Sequence, residues 1–198
     1  TNSATYYYVV SARNDAGESA PGDRLLLTPL YANRLNGTII GTDGSWDGTS
    51  TKQRVFDNSL ATFFDAQLPD GAWAGFDLGT PRKITAIRYS PRNGTTNWLD
   101  RMIGGVFQAA DNPAFNNPVT LFKVPVAPAF NVYTSAAVSD EARYRYVRYL
   151  SPNGGHCNVS EIQFYGVLPP SPPGALAVTG EGSIANLTWN QSSFAVSY

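Results

Sequence analysis

The chain is 198 residues long, enough for one large domain or one medium domain with extra pieces. A formal net charge of −1 excludes a basic face for nucleic acid, and no apolar run approaches the roughly 18–20 residues of a membrane span. One cysteine, Cys157, excludes an intrachain disulfide, and with one histidine, His156, no Cys/His metal cluster or nucleophilic dyad stands out. Apolar residues at 42% supply a core, while charged residues at 15% fall below the usual quarter or so. The chain starts without Met, shows no signal peptide and reads as a piece of a longer protein.

From the N-terminus, Tyr6, Tyr8, Val10 and Ala12 fall on one side of a strand at period two. Asn14-Asp15-Ala16-Gly17 is a turn signal, and a short strand precedes Pro21-Gly22. An ordinary hairpin accounts for this. It also resembles the last strands of a fibronectin type III domain, with Tyr6 at the corner tyrosine, over residues 1–22. Residues 26–167 have the rhythm of an all-β domain, with short strands and frequent turns. Strands are expected over 35–40, 73–78, 83–89, 103–109, 119–124, 144–150 and 162–165, with a turn separating 73–78 from 83–89. Leu168 to Gly174 is a stiff proline-rich linker. Beyond it, 176–178 and 185–190 alternate as strands, and 194–198 is expected to be a third. Residues 168–198 resemble the opening of a second fibronectin type III domain, with Trp189 at its core tryptophan. Neither end piece closes a sandwich alone, so the two are expected to pair with each other or with a neighbouring molecule. The fold class is all-β, a jelly-roll β-sandwich with incomplete immunoglobulin-like pieces at both ends.

The stretch from Arg54 to Asp65 carries too many oxygen-bearing residues for a plain strand. Asp57, Ser59 and Thr62 sit two and three residues apart in a short loop. Such a loop turns carboxylate, hydroxyl and carbonyl oxygens inward, as a hard cation requires. A metal-free Asx turn is the alternative.

This stretch, with Phe76-Asp77-Leu78-Gly79, Ile87 to Arg92, Tyr146 to Tyr149 and Glu161 to Gly166, resembles a coagulation factor 5/8 type C (discoidin) domain. Within that superfamily it looks most like bacterial family 32 carbohydrate-binding modules. The resemblance implies a galactose-binding-domain-like jelly roll and a structural Ca2+. The implied ligands are the Arg54 carbonyl, the Asp57 carboxylate, the Ser59 carbonyl, both oxygens of Thr62, the Ser160 carbonyl and the Glu161 carboxylate. Asn58 stands where the family usually has Gly, and Asn tolerates left-handed backbone. Ser59 stands where it often has Asn or Asp, which removes a side-chain ligand.

The resemblance also implies a sugar site among the loops at one end, at Trp46, Asp47, Asp65, Arg92, Asn97, Trp98 and His156. A pyranose needs a flat aromatic face and a few fixed donors and acceptors. Trp46 and Trp98 can offer the face and Arg92 a planar fork of donors; Asp47 and Asp65 accept, and His156 does either. Asp65 and His156 depart from the family pattern, which leaves the sugar open. Each residue has a structural alternative: Trp46 and Trp98 as loop packing, Arg92 paired with Asp100, and Arg143, Arg145 and Arg148 as a solvated face.

The implied function is a non-catalytic module holding an extracellular polysaccharide-degrading enzyme on its glycan, linked to catalytic and fibronectin type III domains. A discoidin-type adhesion domain recognising protein or phospholipid is the alternative, and it needs apolar spikes on the loops, usually with a basic rim. The motifs Gly-x-Ser-x-Gly and His-Glu-x-x-His and a phosphate loop are absent, so nothing marks an enzyme.

Overall fold

The computed structural model describes residues 6–8, 11–20, 25–27, 33–94, 96–168, 174–181 and 184–190. The chain divides into two compact units, residues 1–166 and 167–198. In the first unit, β1 (Tyr6–Tyr8) pairs with β4 (Leu25–Leu27), and β2 (Arg13–Asn14) with β3 (Gly17–Glu18). The second unit holds the antiparallel pair β12 (Gly174–Glu181) and β13 (Ile184–Asn190). The β1 ladder thus reaches past residue 22 to Leu25–Leu27, while β2–β3 and β12–β13 are local hairpins. The side chains of Tyr6 and Trp189, the strand expected over 194–198, and most of the proline linker lie outside the described residues.

The sandwich is organised on one 19-residue strand, β6 (Trp73–Pro91). Its first half pairs with β5 (Thr38–Gly41) and β10 (Arg143–Leu150), and β7 (Val106–Ala110) and β8 (Val119–Lys123) extend that side. Its second half pairs with β11 (Val159–Gly166) and β9 (Thr134–Ala137). The sequence suggests a turn near Gly79-Thr80-Pro81. Residues 78–81 bulge out there between the two halves of β6, because β10 pairs on both sides of them, Tyr146 with Asp77 and Tyr144 with Arg82. Gly79 takes the positive φ of 73° that the bulge requires.

Period two decides which side chains meet inside. Along β10, Val147 and Tyr149 are fully buried, while Tyr146 lies on the other face in a cluster with Ala110 and Phe115. The core is aromatic: Phe107 stacks at 4.9 Å on Tyr149, 5.1 Å from Tyr89 and 6.2 Å from Phe164. These rings come from β7, β10, β6 and β11, so residues of both halves of β6 share one interior. Arg148, expected on a solvated face, lies 4.1 Å over the Phe115 ring and donates to Gln108, covering the outer cluster.

Candidate functional site

The loops at one end gather around β11. Phe64 bridges to Val159, the Asp65 N–H donates to the Ser50 carbonyl, and the Trp46 N–H donates to the Asp65 carbonyl. The Ala66 N–H donates to the His156 carbonyl at 2.8 Å. These backbone bonds draw four distant segments to one cavity of about 310 Å³, lined by Trp46, Asp65, Arg92, Trp98, Arg101 and His156. Five residues expected at a sugar site therefore share one hollow.

Arg92 is its fixed point. Nη1 donates to Asp65 Oδ2 at 2.7 Å, with the two side chains only 13% and 15% exposed. The guanidinium lies 3.9 Å over the Phe63 ring and 3.9 Å over the Trp98 ring. Asp65, not Asp100, is thus its partner, and Trp98 holds the arginine rather than leaving both faces to a ligand. Gly94 packs against the same indole, where an added Cβ would come within 2.0 Å of Trp98 Cζ3. Trp46 is the free aromatic, 72% exposed and edge-on to His156 at 6.4 Å.

His156 has a left-handed φ of 51°, and its Nδ1 faces the Ala66 carbonyl at 3.0 Å. A carbonyl only accepts, so Nδ1 carries the proton and Nε2 remains an acceptor in the neutral ring. Two participants were not expected from sequence. Buried Asn158 donates to Asp65 Oδ1 at 2.8 Å and accepts from Arg101 Nη1 at 2.5 Å. Arg101 thereby brings a second guanidinium to the wall. Asp47 is turned into its own loop, accepting from the N–H groups of Thr49 and Ser50 and from the Ser50 hydroxyl. Those donors hold its carboxyl well below the usual carboxylate range. Asn97 falls in the short helix Thr96–Leu99, and its side chain lies outside the described residues. Cys157 is fully buried, and burial pushes its thiol far up, which removes it as a nucleophile.

The oxygen-rich loop follows a 3-10 turn at Lys52–Phe56. Thr62 Oγ1 lies 2.8 Å from both Asp57 carboxylate oxygens and 3.1 Å from the Ser59 carbonyl. Asn58 takes a φ of 66°, the left-handed turn an asparagine accommodates. Ser160 Oγ accepts from the Asn93 N–H at 3.2 Å, and Arg54 Nη1 is 3.6 Å from Asp57 Oδ2. Glu161 is fully buried: Oε1 pairs with Arg34 Nη2 at 3.1 Å, and Oε2 has no hydrogen-bond partner among the described residues. Burial pushes its carboxyl up to about 7, with Arg34 pulling the other way. Arg34 also donates to Asn58 Oδ1, tying this loop to β11. Among the described residues no group of three or more His, Cys, Asp and Glu gathers. A calcium set of two carboxylates with neutral oxygens needs no such group, and the orphaned Glu161 Oε2 fits one.

A bent jelly roll with ring-clamped polar groups on its end loops defines a class, the discoidin-like carbohydrate-binding modules. Solved structures narrow it. CBM62 from Clostridium thermocellum Xyl5A is 43% identical over 68% of this chain and 96% of that chain, with a TM-score of 0.64. The chain therefore belongs to the family 62 carbohydrate-binding modules. A family 32 module of AlyQ, solved with 4,5-unsaturated mannuronic acid, shares the fold at 17% identity, 67% and 97% coverage and a TM-score of 0.52. A fucolectin from Morone saxatilis (striped bass) serum does so at 15% identity, 76% and 57% coverage and a TM-score of 0.57. The family 32 modules, which the sequence motifs resemble, are thus fold relatives at low identity. No protein-family profile matches the chain, and neither does any curated protein.

Proposed function

We propose that residues 26–167 form a non-catalytic glycan-binding module that holds an extracellular polysaccharide-degrading protein on its substrate. One observation carries the reading: exposed Trp46 lines the same cavity as a ring-clamped, nearly buried Arg92–Asp65 pair. The indole offers a face to the C–H side of a pyranose. Arg92, Arg101, Asp65 and His156 Nε2 offer donors and acceptors to its hydroxyls. At about 310 Å³ the hollow suits one sugar ring. Ca2+, a hard oxygen-seeking cation, belongs in this reading between the 54–62 loop and β11. The ligands would be Asp57, Glu161, Thr62 and the carbonyls of Arg54, Ser59 and Ser160, with Arg34 sharing the Glu161 charge. The flanking pieces are read as parts of fibronectin type III domains.

A glycan array probed in calcium and in chelator tests the module. Binding to a defined glycan set, lost in Trp46→Ala, is the expected result. Asp47→Ala, which frees the loop carrying Trp46, should weaken that binding several-fold while leaving Tm nearly unchanged, read by titration calorimetry and thermal melts. One observation favours surface binding instead. Leu68, 67% exposed, stands next to Pro69, whose carbonyl accepts from the His156 N–H at 3.1 Å. Sedimentation with phosphatidylserine vesicles, together with a blank array, would replace the glycan reading with that one.

A further inference from the structure

A second hollow of about 210 Å³ borders the 46–50 loop, lined by Thr49, Ser50, Arg54, Ala61, Thr62 and Phe63. Arg54 and Thr62, which belong to the proposed cation set, line it as well, so it abuts that cluster, while Asp57, Ser59 and Glu161 stay out of its wall. Beside Thr62, whose hydroxyl is engaged with Asp57, its wall combines one aromatic ring, the Thr49 and Ser50 hydroxyls and a guanidinium whose side chain is 49% exposed. That is the same mixture as in the first cavity: an apolar plate with a few hydroxyl-sized donors and acceptors. What separates the two is thin. Phe63 borders the second hollow, Arg92 borders the first, and the guanidinium stacks on the ring at 3.9 Å. Asp65 and Ser50 join them again, through the Asp65 N–H to the Ser50 carbonyl at 2.9 Å.

The geometry points to a second sugar subsite in the Thr49–Phe63 hollow, contiguous with the Arg92 cavity, so that the module takes an oligosaccharide of at least two residues. This rests on the glycan-binding reading above. Phe63 serves both subsites, plating the second sugar and backing the arginine that holds the first. Arg54, Thr49 and Ser50 reach the hydroxyls of the second residue. The hydroxyl of Ser50 donates to Asp47, which leaves its oxygen lone pairs to accept. Among the described residues the guanidinium of Arg54 pairs with Asp57 at 3.6 Å. Both subsites are uncharged overall or cationic on these residues, which suits neutral or acidic sugars and disfavours amino sugars.

Ala61 allows a clean test. Its backbone is engaged, with its N–H donating to Ser59 Oγ at 3.2 Å and its carbonyl accepting from Asn93 at 2.9 Å. Its methyl is exposed and borders the second hollow alone. Ala61→Trp fills that hollow without touching the first, and Ala61→Leu fills it partly. The full chain in calcium is titrated with mono- to tetrasaccharide ladders of β-1,4-galactan, β-1,4-mannan, β-1,4-xylan and chitin. On a ladder that binds, affinity should rise about tenfold or more from the monosaccharide to the di- or trisaccharide. Ala61→Trp should erase that rise, Ala61→Leu should reduce it, and both should leave monosaccharide affinity and the calcium dependence of Tm unchanged. Monosaccharide binding with no gain along the ladder, or a gain that survives in both variants, overturns the second subsite and leaves the module intact. No binding to any ladder or on the array removes the glycan reading, and this inference with it.

Discussion

Arg92→Ala is expected to abolish measurable glycan binding, and Arg92→Lys to come close to it. Arg92 leaves the end of β6 into a slot between two rings, and Asp65 takes one of its terminal nitrogens at 2.7 Å. Its buried Nε has no partner among the described residues. Truncation leaves the Asp65 carboxylate nearly buried with Asn158 as its remaining side-chain partner and opens a void between Phe63 and Trp98. Removing one member of such a pair costs about 2–5 kcal/mol, or roughly 30- to several-thousand-fold in affinity where the pair faces the ligand. Lysine keeps the charge but has no plane to lie between the rings and no fork to share between Asp65 and a sugar. Calorimetric titration reads the binding, and near-UV circular dichroism of the indoles separates a collapsed slot from an unfolded domain. Tight binding by a folded Arg92→Ala variant would move the ligand away from this cavity.

How much of this could be read from the chain differs by element. The strand at 143–150 is written in its alternation, and so is the core it feeds through Val147 and Tyr149. β9 is not legible: Thr134-Ser135-Ala136-Ala137 has no large apolar residue, and only Ala136 among them is buried. The break between the two halves of β6 is legible because Gly79 and Pro81 carry a turn's composition. That one strand, β10, pairs on both sides of that break is a tertiary fact the composition does not carry. The same division runs through the site. Trp46, Arg92 and His156 stand out as residue types in loops. Asn158 gains its place from consecutive left-handed residues before it, His156 and Cys157, at φ of 51° and 50°. Those angles turn the chain so that the amide reaches Asp65 and Arg101. Nothing in the local composition marks non-glycine residues for that conformation. Asp47 shows the reverse. Its carboxylate is visible in the sequence, but two backbone N–H groups and a serine hydroxyl occupy it.

Glu161→Gln should separate the roles of the buried charge and the cation. Among the described residues Glu161 has one oxygen on Arg34 and the other without a hydrogen-bond partner, and burial pushes its carboxyl to about 7 from an ordinary 4.5. The folded chain then holds that proton more tightly than the unfolded chain. Its contribution is therefore complete below pH 4.5 and is lost as pH rises through about 7. Glutamine has no such slope, and its carbonyl still accepts from Arg34, whose side chain is 25% exposed and can reach water. In chelator at pH 8 the variant should melt at or above the wild-type temperature. Calcium reverses the order: an ion at 100 times its Kd adds about 2.7 kcal/mol, a Tm rise of roughly 10 °C. The wild type should show that rise at pH 8 and progressively less of it towards pH 5, as protons displace the ion. The variant should show none at any pH. Melting curves at pH 5, 6, 7 and 8, each in chelator and in calcium, give the whole comparison. A wild-type Tm indifferent to calcium at pH 8 would leave Arg34 as the counter-charge that ties the 54–62 loop to β11.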